Sequence, residues 1–227
     1  MKLGILTLAV AVCFGASVPE LQTARDKQDR PTLEKLTGEL SASAQAKQGD
    51  ASAQYMIAMA ESYLSEILLE LRLKNEAKSA AEAGIKAAER AVALKPDVAE
   101  YHRILGTLCG QVIPANVLAG LKYGKCAQDS VEKAVQLDPK SADAYVSRGV
   151  GNYYLPASFG GGVDKALKDF DKAIQLNAKL ADAYLWKGIA LRKANQMPEA
   201  HKALSRALEL NPNRLWAKQL LDKTPAQ

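Results

Sequence analysis

Cys109 and Cys126 are the residues best placed by type to do covalent chemistry, and a disulfide is the chemistry they suit. Two small buried apolar side chains are the alternative reading. A metal site is not expected, because the two histidines, His102 and His201, are not spaced to complete one with the cysteines. Gly160-Gly161-Gly162 precedes a helical stretch, but no Lys-Ser/Thr follows it and no strand leads into it. It reads as a turn that lets Phe159 tuck onto its neighbours. No G-x-S-x-G elbow, H-E-x-x-H or paired CxxC occurs. No catalytic residue, cofactor or metal is expected, and the chain is read as a non-enzyme.

The elements that would position such residues are helical. The chain has 227 residues, 48% apolar and 24% charged, with alanines recurring three or four apart. Its formal charge of +5 is spread thinly, with no run of five like charges and no basic stripe interleaved with aromatics. A nucleic-acid partner is therefore not expected.

Met1-Lys2, the apolar run Leu3 to Phe14 and the small residues Gly15-Ala16-Ser17 have the form of a secretory leader. Residues 1–17 are expected to be a signal peptide cut after Ser17, and the protein to be exported, periplasmic or secreted. Cys13 follows Val12 rather than a small residue, so it is expected to be discarded with the leader rather than lipidated. The run is short of the ~20 residues that span a bilayer, and no later stretch qualifies, so no transmembrane span is expected. Residues 18–31 are polar and read as a flexible lead-in.

The remainder repeats. Helix ends at Glu89–Pro96, Glu132–Pro139, Asp171–Ala178 and Ser205–Pro212 share an inward Ala and a Leu three later. Ala91, Ala134, Ala173 and Ala207 are 43, 39 and 34 residues apart. The extra residues in the two longer units fall at Val112 to Gly124 and Leu155 to Gly162, where Pro and Gly suggest loops.

Tyr184, Gly188, Leu191, Ala200, Leu204, Ala207 and Pro212 in the last unit resemble the tetratricopeptide (TPR) pattern. Tyr145, Gly149, Ala166, Phe170 and Ala173 repeat it, as do Gly106, Ala127, Val131, Ala134 and Pro139. The resemblance implies an all-α, TPR-like solenoid over residues 32–227. It would have a short N-terminal helix, four helix-turn-helix units at about 51–96, 98–139, 141–178 and 180–212, and a C-terminal cap at 213–223.

The resemblance also implies a concave groove lined by the first helix of each unit. The corresponding residues are Arg103, Thr107 and Gln111; Val146, Val150 and Tyr153; and Leu185, Ile189 and Arg192. The groove is expected to be apolar in the middle with basic ends, unless Val146, Val150, Leu185 and Ile189 simply pack between helices. The expected role is a cell-envelope scaffold binding a protein or peptide there. The alternative is a periplasmic protein that binds a small apolar ligand and serves a transporter.

Overall fold

A computed structural model of the chain describes residues 16–45 and 48–226. Residues 1–15 of the expected leader, Cys13 among them, lie outside the described residues. Eleven α-helices are present among the described residues, and no strand. They are α1 (Val18–Asp26), α2 (Arg30–Gln45), α3 (Ala51–Glu70), α4 (Lys74–Leu94), α5 (Ala99–Val112), α6 (Val117–Leu137), α7 (Ala142–Tyr154), α8 (Val163–Leu176), α9 (Ala181–Lys193), α10 (Met197–Leu210) and α11 (Leu215–Leu221).

The four hairpins are α3–α4, α5–α6, α7–α8 and α9–α10. Within each, small residues sit at the tightest crossing. A side chain on Gly149 would meet the Phe170 ring at 2.5 Å, and one on Gly188 would meet Leu204 Cγ at 2.7 Å. Only hydrogen fits there, so these glycines set the distance between the paired helices. The repeated alanines Ala91, Ala134, Ala173 and Ala207 are all buried. No hairpin covers its own apolar faces; each is closed by the next, as in other repeat stacks. The first helices touch in sequence, α3 on α5, α5 on α7 and α7 on α9.

Local chemistry explains the helix ends. Asp50, Asn116 and Ser141 accept hydrogen bonds from backbone N–H groups in the first turns of α3, α6 and α7. At two of the junctions between hairpins, and again between α10 and α11, an Asx side chain turns the chain. Asp138 Oδ1 accepts from Lys140 N, Asn177 Oδ1 from Lys179 N and Asn211 Oδ1 from Asn213 N, at 3.0, 3.0 and 3.2 Å. Ala178 can therefore stand where the other units have Pro96, Pro139 and Pro212.

Two expectations are corrected. The 18–31 stretch is not a loose lead-in: α1 occupies 18–26 and buries Leu21, Ala24, Arg25 and Asp26. Its polar residues are charged partners of distant helices, which a local reading mistakes for solvation. Ser17, expected to end the leader, precedes α1 directly, and its N–H and hydroxyl both donate to Glu20 Oε2, at 2.8 and 2.7 Å. The nine-residue excess at 112–124 is mostly not a loop either. A short 3-10 turn, Ile113–Ala115, ends at Asn116, which caps a helix already begun at Val117. Gly120 and Gly124 sit inside α6.

Candidate functional site

The inner side of the stack carries an acid in the first turn of three successive first helices: Glu100 on α5, Asp143 on α7 and Asp182 on α9. α3, longer than these at 20 residues, adds Glu66 and Glu70 near its end. Together with Asp26 of α1, these carboxylates approach one another and would repel unless neutralised.

Three arginines do this for all of them but Asp143, which has no cation at ion-pair distance among the described residues. Arg25 bonds Asp26 through Nε and Nη2 at 3.0 and 2.7 Å, and Asp182 through Nη1 at 2.8 Å; its guanidinium lies 5.0 Å from the Tyr63 ring centre. Arg214, just before α11 and 1% exposed, bonds Glu66 Oε1 at 2.7 Å and both oxygens of Glu70. Arg103 chelates Glu100, which also accepts from Tyr55 OH at 2.8 Å. Neutral partners complete the cluster: Asn211 donates to Asp26 at 2.7 Å and Gln28 to Glu70 at 2.7 Å. The last hairpin is thereby tied to α1 and α3. A polar cavity of about 250 Å³ remains at this junction, lined by Gln22, Arg25, Asp26, Asp182 and Asn211.

The titration behaviour follows. Burial pushes Glu70 up to about 7, because Glu66 beside it adds to desolvation and Arg214 only partly offsets both. Burial would also raise Asp182, but Arg25 and Arg214 outweigh it and hold that carboxyl below its usual value.

The nine expected groove residues fall into three sets. Arg103, Thr107 and Gln111 are spent on partners: Arg103 on Glu100, Thr107 on Ser147 Oγ at 3.1 Å, and Gln111 on the Ser62 carbonyl at 3.1 Å. Val146, Val150, Leu185 and Ile189 pack between helices, Leu185 at 1% exposure. In the middle of the expected trough Val146 and Leu185 are buried, Val150 and Ile189 pack half-buried beside them, and at one end Arg103 is neutralised by Glu100. Tyr153 and Arg192 stay half-buried.

Tyr153 belongs to a feature that sequence reasoning missed. Tyr153 and Tyr154 on α7, Trp186 on α9 and Trp216 on α11 form a connected row of edge-on rings. Centroids are 4.9 Å apart for Tyr153–Tyr154, 6.2 and 6.3 Å from these to Trp186, and 5.5 Å for Trp186–Trp216. Tyr154 is 58% exposed. Lys193 lies 4.3 Å from the Tyr153 ring centre and donates to its carbonyl. The spacing of Glu100, Asp143 and Asp182, the same 43 and 39 residues as the alanines, was the available signal for the charged cluster. Cys109 and Cys126 form a disulfide across the α5–α6 hairpin, with Cα atoms 6.0 Å apart. No group of residues that could hold a metal is present among the described residues.

Stacked hairpins with this Gly and Ala geometry define a tetratricopeptide solenoid, a fold that typically serves as a non-catalytic interaction scaffold. A tetratricopeptide repeat model matches residues 181–214. The model of the family "Regulator of microtubule dynamics protein 1-3" matches residues 19–155, more than half of the chain, and the chain belongs to that family. No curated protein sequence matches it. Among solved structures, a thermophilic TPR protein of Thermus thermophilus is similar. It is 18% identical with a TM-score of 0.64, over 92% of this chain and 98% of that one. The HusA haemophore of Porphyromonas gingivalis is also similar, at 18% identity and a TM-score of 0.56, over 88% and 95%. At such identities the likeness concerns the fold alone. No helix among the described residues is long and apolar enough to cross a membrane.

Proposed function

We propose that this chain is a non-catalytic scaffold that holds a polypeptide segment on the aromatic row of α7, α9 and α11. The observation that carries this is the exposed face of Tyr154 continuing into Trp186 and Trp216. Rigid rings lose little entropy when a partner covers them, which makes such rows good anchors. Most polar atoms of the inner-side cluster near α1 are bonded to each other, with Arg214 Nε an exception, so that cluster offers a partner less than the exposed rings do.

Export to the cell envelope belongs to the same proposal. The Met1–Ser17 pattern supports it, and so does the Cys109–Cys126 disulfide, a bond that persists in oxidising compartments. The family's name assigns regulation of microtubule dynamics to its named members, so tubulin is a polypeptide partner to include in the test.

A planar apolar ligand stacking on Tyr154 is the second reading, on the same exposed ring. Thermal shifts with peptide pools, lipid extracts and polymerised tubulin, repeated with Trp186→Ala, separate these. Peptide-dependent stabilisation lost in the variant is the expected result. A response to lipid extract alone would replace the scaffold by ligand binding. Capture of tubulin by the reduced protein would set the envelope role aside.

A further inference from the structure

Large apolar side chains stand in solvent at one edge of the stack. Leu71 and Leu73 occupy the α3–α4 turn, Leu118 and Leu121 the start of α6, and Phe159 the α7–α8 turn. Leu118, Leu121 and Phe159 are 74%, 80% and 75% exposed. In stacked hairpins the turns between first and second helices all fall on the same edge. The contact of the 113–115 turn with α4 places the first two side by side.

Phe159 was expected to tuck onto the stack, and it does not. Gly160, at φ +87°, ends the 3-10 turn Ala157–Phe159 in the left-handed region, and Lys165 clamps its carbonyl at 2.6 Å. Gly161 fits only because it has no side chain, since one would overlap the Leu155 carbonyl. The loop is thus built to hold the ring outward. Leu118 and Leu121, three residues apart, share one face of α6, while Ala119 between them supplies the buried contact.

The charge on this edge is mainly positive. Arg72, Lys74, Lys122, Lys165 and Lys193 are exposed there. Of the acids, Glu76 is paired with Arg30 and Asp129 with Lys125, leaving Asp164 and Glu199. Arg72, Lys74 and Lys122 have no carboxylate partner at ion-pair distance among the described residues.

We propose that this edge docks on an anionic membrane surface, with Leu118, Leu121 and Phe159 entering the headgroup layer and the cations meeting lipid phosphates and carboxylates. A protein interface packs its apolar core to complementarity. Here the apolar groups project separately from different turns and share the edge with exposed cations, a relief that a fluid headgroup layer accepts without shape matching.

The test is flotation of the full chain with vesicles of phosphatidylcholine alone or with phosphatidylserine added. Binding is expected only with the anionic lipid and should fall as salt rises. Leu118→Ser/Leu121→Ser/Phe159→Ser should weaken it at least ~10-fold with an unchanged melting temperature, since all three side chains are in solvent. Trp186→Ala should bind vesicles normally, which keeps this inference separate from the aromatic row. Equal binding to neutral vesicles, or undiminished binding by the triple variant, would overturn it. So would a dimer of the chain that the triple variant abolishes.

Discussion

The inner side of this solenoid has two regions with opposite habits. Near α1, α3 and α5, charged groups are buried and bonded to one another, down to a guanidinium shared by Glu66 and Glu70. Near α7, α9 and α11, aromatic rings touch only at their edges and leave a face to solvent. The first region uses its chemistry to hold the chain together; the second leaves its chemistry available. Polarity is therefore a poor guide to function here, because the more polar region is the more structural one.

The largest expected break in that contrast is Arg214→Ala. It strands buried Glu66 and Glu70 and should cost about 3–5 kcal/mol in a denaturant titration. The loss should shrink on acidification, because Glu70, already raised to about 7, needs no cation once protonated.

Next in size is the Cys109→Ala/Cys126→Ala pair. Opening a loop of 17 residues should cost about 3 kcal/mol. Hydrogen exchange should rise in α5 and α6 while the aromatic row keeps its protection.

Glu61→Gln acts on a carboxyl that burial alone raises from the usual 4.5 to about 7. The folded state holds this proton more tightly than the unfolded one. Stability therefore falls as pH climbs from 4.5 to about 7 and stays low above. The amide should thus stabilise the protein by about 2 kcal/mol at about pH 8 and lose that advantage near about pH 4, read from melting curves.

Tyr154→Ser should be the smallest change to the fold, under about 0.5 kcal/mol for an exposed residue. Peptide binding should nevertheless drop. Stability and binding moving together in this variant would erase the distinction between the two regions.

Most of the fold was legible in the sequence because its determinants are local and periodic. Gly106, Gly149 and Gly188 mark helix crossings, and Ala134, Ala173 and Ala207 repeat beside them. What was not legible depends on pairing across the chain. Arg25 finds Asp182 157 positions away and Arg214 finds Glu70 144 away, and neither leaves a local trace. The groove positions were assigned to the correct helices, yet Val146 and Leu185 face neighbours rather than a trough. The aromatic row escaped notice because its members come from three helices with no common spacing.

Arg214 has a consequence for how the molecule comes apart. An open stack of repeats frays from its ends, since a terminal hairpin has one neighbour to lose. Here the end of α10 is fastened to α1 and α3, so neither terminus can peel away without breaking the other's contacts. The array behaves as a closed circuit, and its melting should follow a single cooperative transition rather than a succession of hairpins.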